Sequence, residues 1–158
     1  TGARRRWTPL ALNLSDGLGL LATTLESDMN ELIGKTVTGL RVNEDQSILA
    51  FDHPDGSSTA YVTDGDCCSE TWFADITGVA ALLGGKVLEV ESVDLPAVDD
   101  KRTRQEEDLF YGVKLRTDKG MADIVYRNSS NGYYGGSIGP HSGALPESMT
   151  AITDDWRA

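Results

Sequence analysis

At 158 residues the chain is long enough to bury one hydrophobic core without disulfide or metal staples. Its net charge of −11 has the wrong sign for gripping nucleic-acid phosphates or an anionic membrane surface. No run of about eighteen apolar residues occurs, so no helical membrane span is expected. The only two cysteines, Cys67 and Cys68, are adjacent, a spacing that strains a disulfide ring, and the expectation is a reduced, cytoplasmic protein.

In chain order, residues 1–28 read as an N-terminal arm. Arg4, Arg5, Arg6 and Pro9 punctuate it, and its leucines hold neither the helical nor the strand period. Met29 is a suitable start residue, which would make 1–28 an extension. Asp28 caps a short helical turn over 29–33, closed by Gly34. Strands then follow over 35–42, 47–52 and 58–63 at a spacing of about ten residues, with turns at 43–46 and 53–56, and predict an antiparallel meander. Asp75 reads as a helix cap, Ile76, Val79, Ala80, Leu82 and Leu83 as one apolar face, and Gly84-Gly85 as a stop. That spacing predicts the main helix near 75–84.

Residues 86–95 alternate as a strand that Pro96 ends, and the almost wholly charged 97–108 reads as a solvated hairpin loop. Strands over 109–117 and 121–127 pair through the 118–120 turn, and Gly132 to Gly136 supplies a last short strand. Residues 139–158 form a tail with a helical turn ending at Trp156. The expected fold class is α+β. A single domain over 29–138 would hold a bent antiparallel sheet of about six or seven strands and one main helix.

Two stretches stand out from this background. One is Gly65-Asp66-Cys67-Cys68-Ser69-Glu70, the other Arg127-Asn128-Ser129-Ser130-Asn131-Gly132-Tyr133-Tyr134-Gly135-Gly136. With the segment that follows the first, they resemble a small uncharacterised domain family found mainly in bacteriophages and actinobacteria, over about residues 32–138. The resemblance implies a phage or mobile-element origin and brings no activity with it.

A thiolate at Cys67 or Cys68 would gain from a turn capped by Ser69, yet Asp64, Asp66 and Glu70 raise a thiol's pKa and suppress the nucleophile. Small polarisable cysteines also pack well at a core edge, and that reading outweighs catalysis. His53 and His141 are the only candidate bases, and lone loop histidines are usually solvated. A zinc site from His53, Cys67, Cys68 and His141 has suitable ligand types, but adjacency is not a chelating spacing. The acids lack the twelve-residue calcium pattern, and no phosphate-loop, nucleophile-elbow or zinc-protease motif occurs.

Tyr133 and Tyr134 between glycines form an aromatic surface that a partner's backbone can approach, or else one of them fills the core. Asn128 and Asn131 are placed to pin the cysteine turn by hydrogen bonds. The leading expectation is an acidic, non-enzymatic binding module without metal or cofactor. Asp66, Cys67, Cys68, Ser69, Glu70, Asn131, Tyr133 and Tyr134 would engage a protein partner, with no direct contact to nucleic acid or membrane. Two alternatives stand beside it: a DNA mimic that blocks a nucleic-acid-binding enzyme, and a cysteine-dependent enzyme using Cys67 or Cys68.

Overall fold

The computed structural model describes residues 28–158, so the arm expected over 1–28 lies, except for Asp28, outside the described residues. These form ten strands in two antiparallel sheets of five. The expected meander is present as β1 (Gly39–Asn43), β2 (Ile48–Asp52) and β3 (Ser58–Gly65). Two later strands, β8 (Gly136–Pro140) and β9 (Met149–Ala151), extend it on both sides to the order β8-β3-β2-β1-β9. The second sheet is built from β4 (Glu70–Thr77), β5 (Val87–Leu95), β6 (Glu107–Thr117), β7 (Gly120–Ser130) and β10 (Trp156–Arg157). Its order is β10-β4-β7-β6-β5.

The α+β expectation is therefore overturned: the fold is nearly all β, and the main helix near 75–84 does not exist. Residues 70–77 belong to β4, paired to β7 along their length. Among the described residues only Val79–Leu82 are α-helical (α1), with a 3-10 turn over Asp28–Leu32. Gly78 explains the division. Its φ of 75° is left-handed, and a Cβ there would stand 2.3 Å from the Met121 carbonyl oxygen, so β4 turns sharply and presses against β7 before α1 starts. Asp75 caps nothing; the first amide of α1, Val79 N–H, donates instead to Asp155 Oδ1 at 3.0 Å.

Three consecutive residues of β4, Trp72, Phe73 and Ala74, are buried. An ordinary half-buried strand alternates. Here a bulge between Phe73 and Asp75 breaks the alternation, and both faces of the strand are covered. That continuous apolar run, followed by Ile76, Val79 and Leu82, imitates a helical stripe.

One core lies between the sheets. Leu40, Val42, Leu49, Phe51 and Tyr61 meet Phe73, Ile76, Val90, Val113, Leu115 and Ile124 there, with Met29, Leu32, Val79 and Leu82 in the same cluster. Each such side chain contributes about 1.5–3 kcal/mol when fully buried. Two further expectations change. Gly132 to Gly136 is no strand: 131–135 form an irregular loop with Gly132 at φ 93°, and β8 begins at Gly136. Trp156 lies not in a helical turn but in β10, opposite Ile76.

Candidate functional site

The last four residues of β7, Arg127, Asn128, Ser129 and Ser130, are polar and all buried. Side chains alternate along a strand, so neighbours among the four serve opposite faces. Asn128 and Ser130 organise the two stretches singled out above. Asn128 Nδ2 donates to Ser69 Oγ at 3.0 Å and to Thr71 Oγ1 at 2.9 Å. Ser130 Oγ accepts from Gly132 N–H at 2.9 Å and Tyr134 N–H at 3.4 Å. The stretches also meet through their backbones: Gly65 pairs with Gly136, and Asp66 N–H reaches the Gly135 carbonyl at 3.5 Å.

Within this corner Cys67 and Cys68 are both exposed free thiols, their sulfurs 2.9 Å apart. The hydrogen bond to Cys67 pushes the Cys68 pKa up. Ser69 is half-buried and closes the turn, donating N–H to the Asp66 carbonyl at 3.1 Å and its hydroxyl to the same oxygen at 2.7 Å. Glu70 is exposed, with Arg104 Nη1 at 3.9 Å. Asn131 does not reach the cysteine turn; its Oδ1 accepts from Tyr133 N–H at 3.2 Å within its own loop. Tyr133 is 84% exposed, and half-buried Tyr134 meets it edge to face at 5.6 Å.

Neither histidine shows the free, solvated ring expected of a loop. His53 is buried, with Nδ1 2.7 Å from the Thr36 carbonyl and Nε2 2.7 Å from Thr59 Oγ1. His141 is half-buried in the chain just after β8, with its ring Nδ1 buried and its backbone N–H donating to the Ala60 carbonyl at 2.9 Å. Among the described residues, no group of three or more His, Cys, Asp or Glu side chains is placed to hold a metal.

Arg127 and Ser129 serve the other face, and here the sequence reading missed a feature altogether. Residues 97–106 are not a free solvated loop but a strap anchored on the outer surface of the second sheet. Arg127 donates to Asp108 Oδ2 at 3.0 Å and, through both terminal nitrogens, to Asp100, while its guanidinium stacks on Phe110 at 4.3 Å. Arg102 joins Asp100 to Asp75, at 3.0 and 2.8 Å. Ser129 Oγ accepts from Arg104 N–H and Gln105 N–H at 3.0 and 2.8 Å and donates to Asp108 Oδ1 at 2.7 Å. Arg104 then lies over the Trp72 ring at 4.1 Å.

Hydrogen bonds from Arg127, then Arg102, hold the Asp100 carboxyl well below the usual carboxylate range against the opposing effect of burial. Burial works against the Arg102 charge, but its bonds to Asp75 and Asp100 outweigh that and raise its pKa. A cavity of about 410 Å³ opens beneath the strap, walled by Leu95, Pro96, Val98, Phe110 and Val125. The charges at its rim, Asp75, Asp100, Arg102, Arg127 and Arg157, pair with one another. The available signal in the sequence was the run Arg127 to Ser130 itself: four polar residues where a strand's apolar alternation should continue.

Fold and site together define a class: a nearly all-β domain of two five-stranded sheets, with two loop systems held from opposite sides of one strand. The chain belongs to the family described as Domain of unknown function (DUF7448), whose model matches residues 30–139. That span takes in both loop systems and stops short of β9 and β10. A viral relative is the uncharacterised protein L278 of Acanthamoeba polyphaga mimivirus, 30% identical over 120 residues, which cover 71% of this chain and 92% of that protein. No solved structure matches the chain.

Proposed function

We propose that the chain is a non-enzymatic binding module, encoded by a virus or mobile element and working in the host cytoplasm. It engages a protein partner through the turn Asp66 to Glu70 and the neighbouring loop Asn131 to Tyr134. The observation that carries this reading is the 84% exposure of Tyr133 on a loop whose backbone is tied down by Ser130 and Asn131. An aromatic side chain held out on a fixed mount loses little conformational entropy on binding, which is why tyrosine recurs as an anchor in interfaces. Asp64, Asp66 and Glu70, all exposed alongside it, favour a basic partner surface. The viral relative agrees with a viral origin.

The DNA-mimic alternative has less support. Asp52, Asp75, Asp100, Asp108, Asp123 and Glu89 are each engaged by an arginine or lysine, which takes them out of any phosphate-like array of free carboxylates. The test is photo-crosslinking in host extract from a benzoylphenylalanine at position 133, with position 121 as an exposed control. The reading requires a discrete adduct from 133, absent from 121 and competed by wild-type protein but not by Tyr133→Ala. Equal labelling from both positions would sink it.

A further inference from the structure

An extended chain sends neighbouring side chains to opposite sides, so adjacent cysteines ordinarily keep their sulfurs apart. In the turn between β3 and β4 the sulfurs of Cys67 and Cys68 instead converge to 2.9 Å, with both residues open to solvent. The cause is the backbone of Cys68, whose φ of 74° lies in the left-handed region where glycine, asparagine and aspartate are the usual occupants. A cysteine adopts that conformation under strain, and what the strain secures is a dithiol.

The turn is also prevented from relaxing. Ser69 ties it to the Asp66 carbonyl at 3.1 and 2.7 Å, and Asn128 clamps Ser69 from below at 3.0 Å. Gly65 and Gly136 close the base so tightly that a Cβ on either would meet Thr71 Oγ1 at 2.6 or 2.5 Å. The pair is therefore presented to solvent on a rigid mount.

We propose that Cys67 and Cys68 form a redox-active vicinal dithiol that closes reversibly to an intramolecular disulfide, by exchange with a neutral or cationic small-molecule disulfide. This site goes beyond the binding reading and does not depend on it. Either thiol can donate across the 2.9 Å contact; because that contact pushes the Cys68 pKa up, Cys67 is assigned the first attack and Cys68 the second. As a thiolate, Cys67 attacks one sulfur of R–S–S–R. That bond breaks, the first RS⁻ departs and takes up a proton, and Cys67 is left as a mixed disulfide. Cys68 then loses its proton to solvent and attacks the Cys67 sulfur, expelling the second RS⁻.

The protein gives up two electrons and two protons, and the external disulfide accepts them as two R–SH. The sulfurs need only close from 2.9 Å to about 2.05 Å. The small ring is strained, which makes the bond easy to reduce, and exposed strained disulfides of this kind are the labile, regulatory ones. Asp64, Asp66 and Glu70 around the turn repel anionic reagents, hence the preference for a neutral or cationic disulfide.

The test uses the full reduced chain in anaerobic cystamine–cysteamine buffers of rising oxidised fraction, quenched in acid and read by intact and peptide mass. Wild type should become a monomer lighter by two hydrogens, internally bridged between Cys67 and Cys68, and dithiothreitol should restore it. Cys68→Ser should stop at the cysteamine adduct of Cys67. Because the Cys68 side chain is exposed, Cys68→Ser should leave tryptophan fluorescence unchanged. Wild type that ends as a cysteamine adduct, as a linked dimer, or fully reduced at every ratio overturns the proposal.

Discussion

Replacing Arg127 by methionine removes the guanidinium while keeping a long apolar side chain over Phe110. In the native protein the Arg127 side chain is 2% exposed, Asp108 4% and Asp100 17%, so the substitution strands the buried Asp108 carboxylate and leaves Asp100 to Arg102 and the more distant Arg157. Removing one partner of a buried ion pair costs about 3–5 kcal/mol, because the remaining charge has lost both water and counterion. The stacking on Phe110 adds about 0.5–2 kcal/mol, part of which methionine retains. A net loss of about 4 kcal/mol follows, a large share of the ~5–15 kcal/mol that holds a domain together. Urea unfolding followed by tryptophan fluorescence reads it directly. With a slope of about 2 kcal/mol per molar, the midpoint should fall by about 2 M. The triple variant Arg127→Met, Asp100→Asn, Asp108→Asn should recover most of the loss, since a buried ionic cluster replaced by neutral groups is often tolerated. A single variant within about 1 kcal/mol of wild type, or a triple no better than the single, would refute this view of the strap anchor.

Other consequences are equally direct. The folded-state pKa of Asp100 is depressed, so its contribution is complete above the unfolded value of about 3.9 and is lost as pH falls below that toward the folded value. Asp100→Asn should therefore flatten the stability profile between about pH 4 and pH 2, and an unchanged acid limb would contradict the assignment. Gly78→Ala forces a left-handed alanine against the Met121 carbonyl and should cost about 3 kcal/mol by denaturant titration. Asn128→Ala should cost about 1–3 kcal/mol and speed amide exchange at 66–69, whereas an unchanged exchange rate there would separate Asn128 from the cysteine turn. Tyr133→Ala should leave the thermal midpoint in place, within about 0.5 kcal/mol, while abolishing the position-dependent crosslink competition.

The parts of the fold legible in the sequence are those where one face meets water. β1, β2 and β3 announce themselves by turn residues, and the hairpin of β6 and β7 by alternation around Asp118 to Gly120. β4 was illegible because it is covered on both faces and carries a bulge, which turns alternation into a continuous apolar run. A short run of that kind followed by a glycine reads equally well as helix or strand. Only the contact between Gly78 and Met121, distant in sequence, decides. β9 and β10 are three and two residues long, too short to show any period.

The same limit applies to the site. The cysteine turn and the tyrosine loop were recognisable as unusual, and the link through Asn128 followed from residue type. The strap was not, because a charged loop in water and one neutralised by a buried arginine have the same composition. What separates them is Arg127, whose partners lie 27 and 19 residues away in sequence.

The four polar residues that end β7 also bear on how the chain reaches its fold. Sliding a strand by one residue exchanges its two faces. Between apolar strands such a slip can be tolerated, since hydrophobic burial is non-directional. In β7 it would turn the Arg127 guanidinium toward the cysteine turn and leave the Asn128 amide beneath the strap, stranding the buried Asp108 carboxylate without its cation. That penalty is far steeper than misplaced apolar area. The tetrad therefore acts as a proofreader of strand alignment, and Arg127→Leu should refold to several species by native-state hydrogen exchange where wild type gives one. Stability elsewhere in the molecule comes from grease; in its central strand, polar chemistry decides which of several compact arrangements survives.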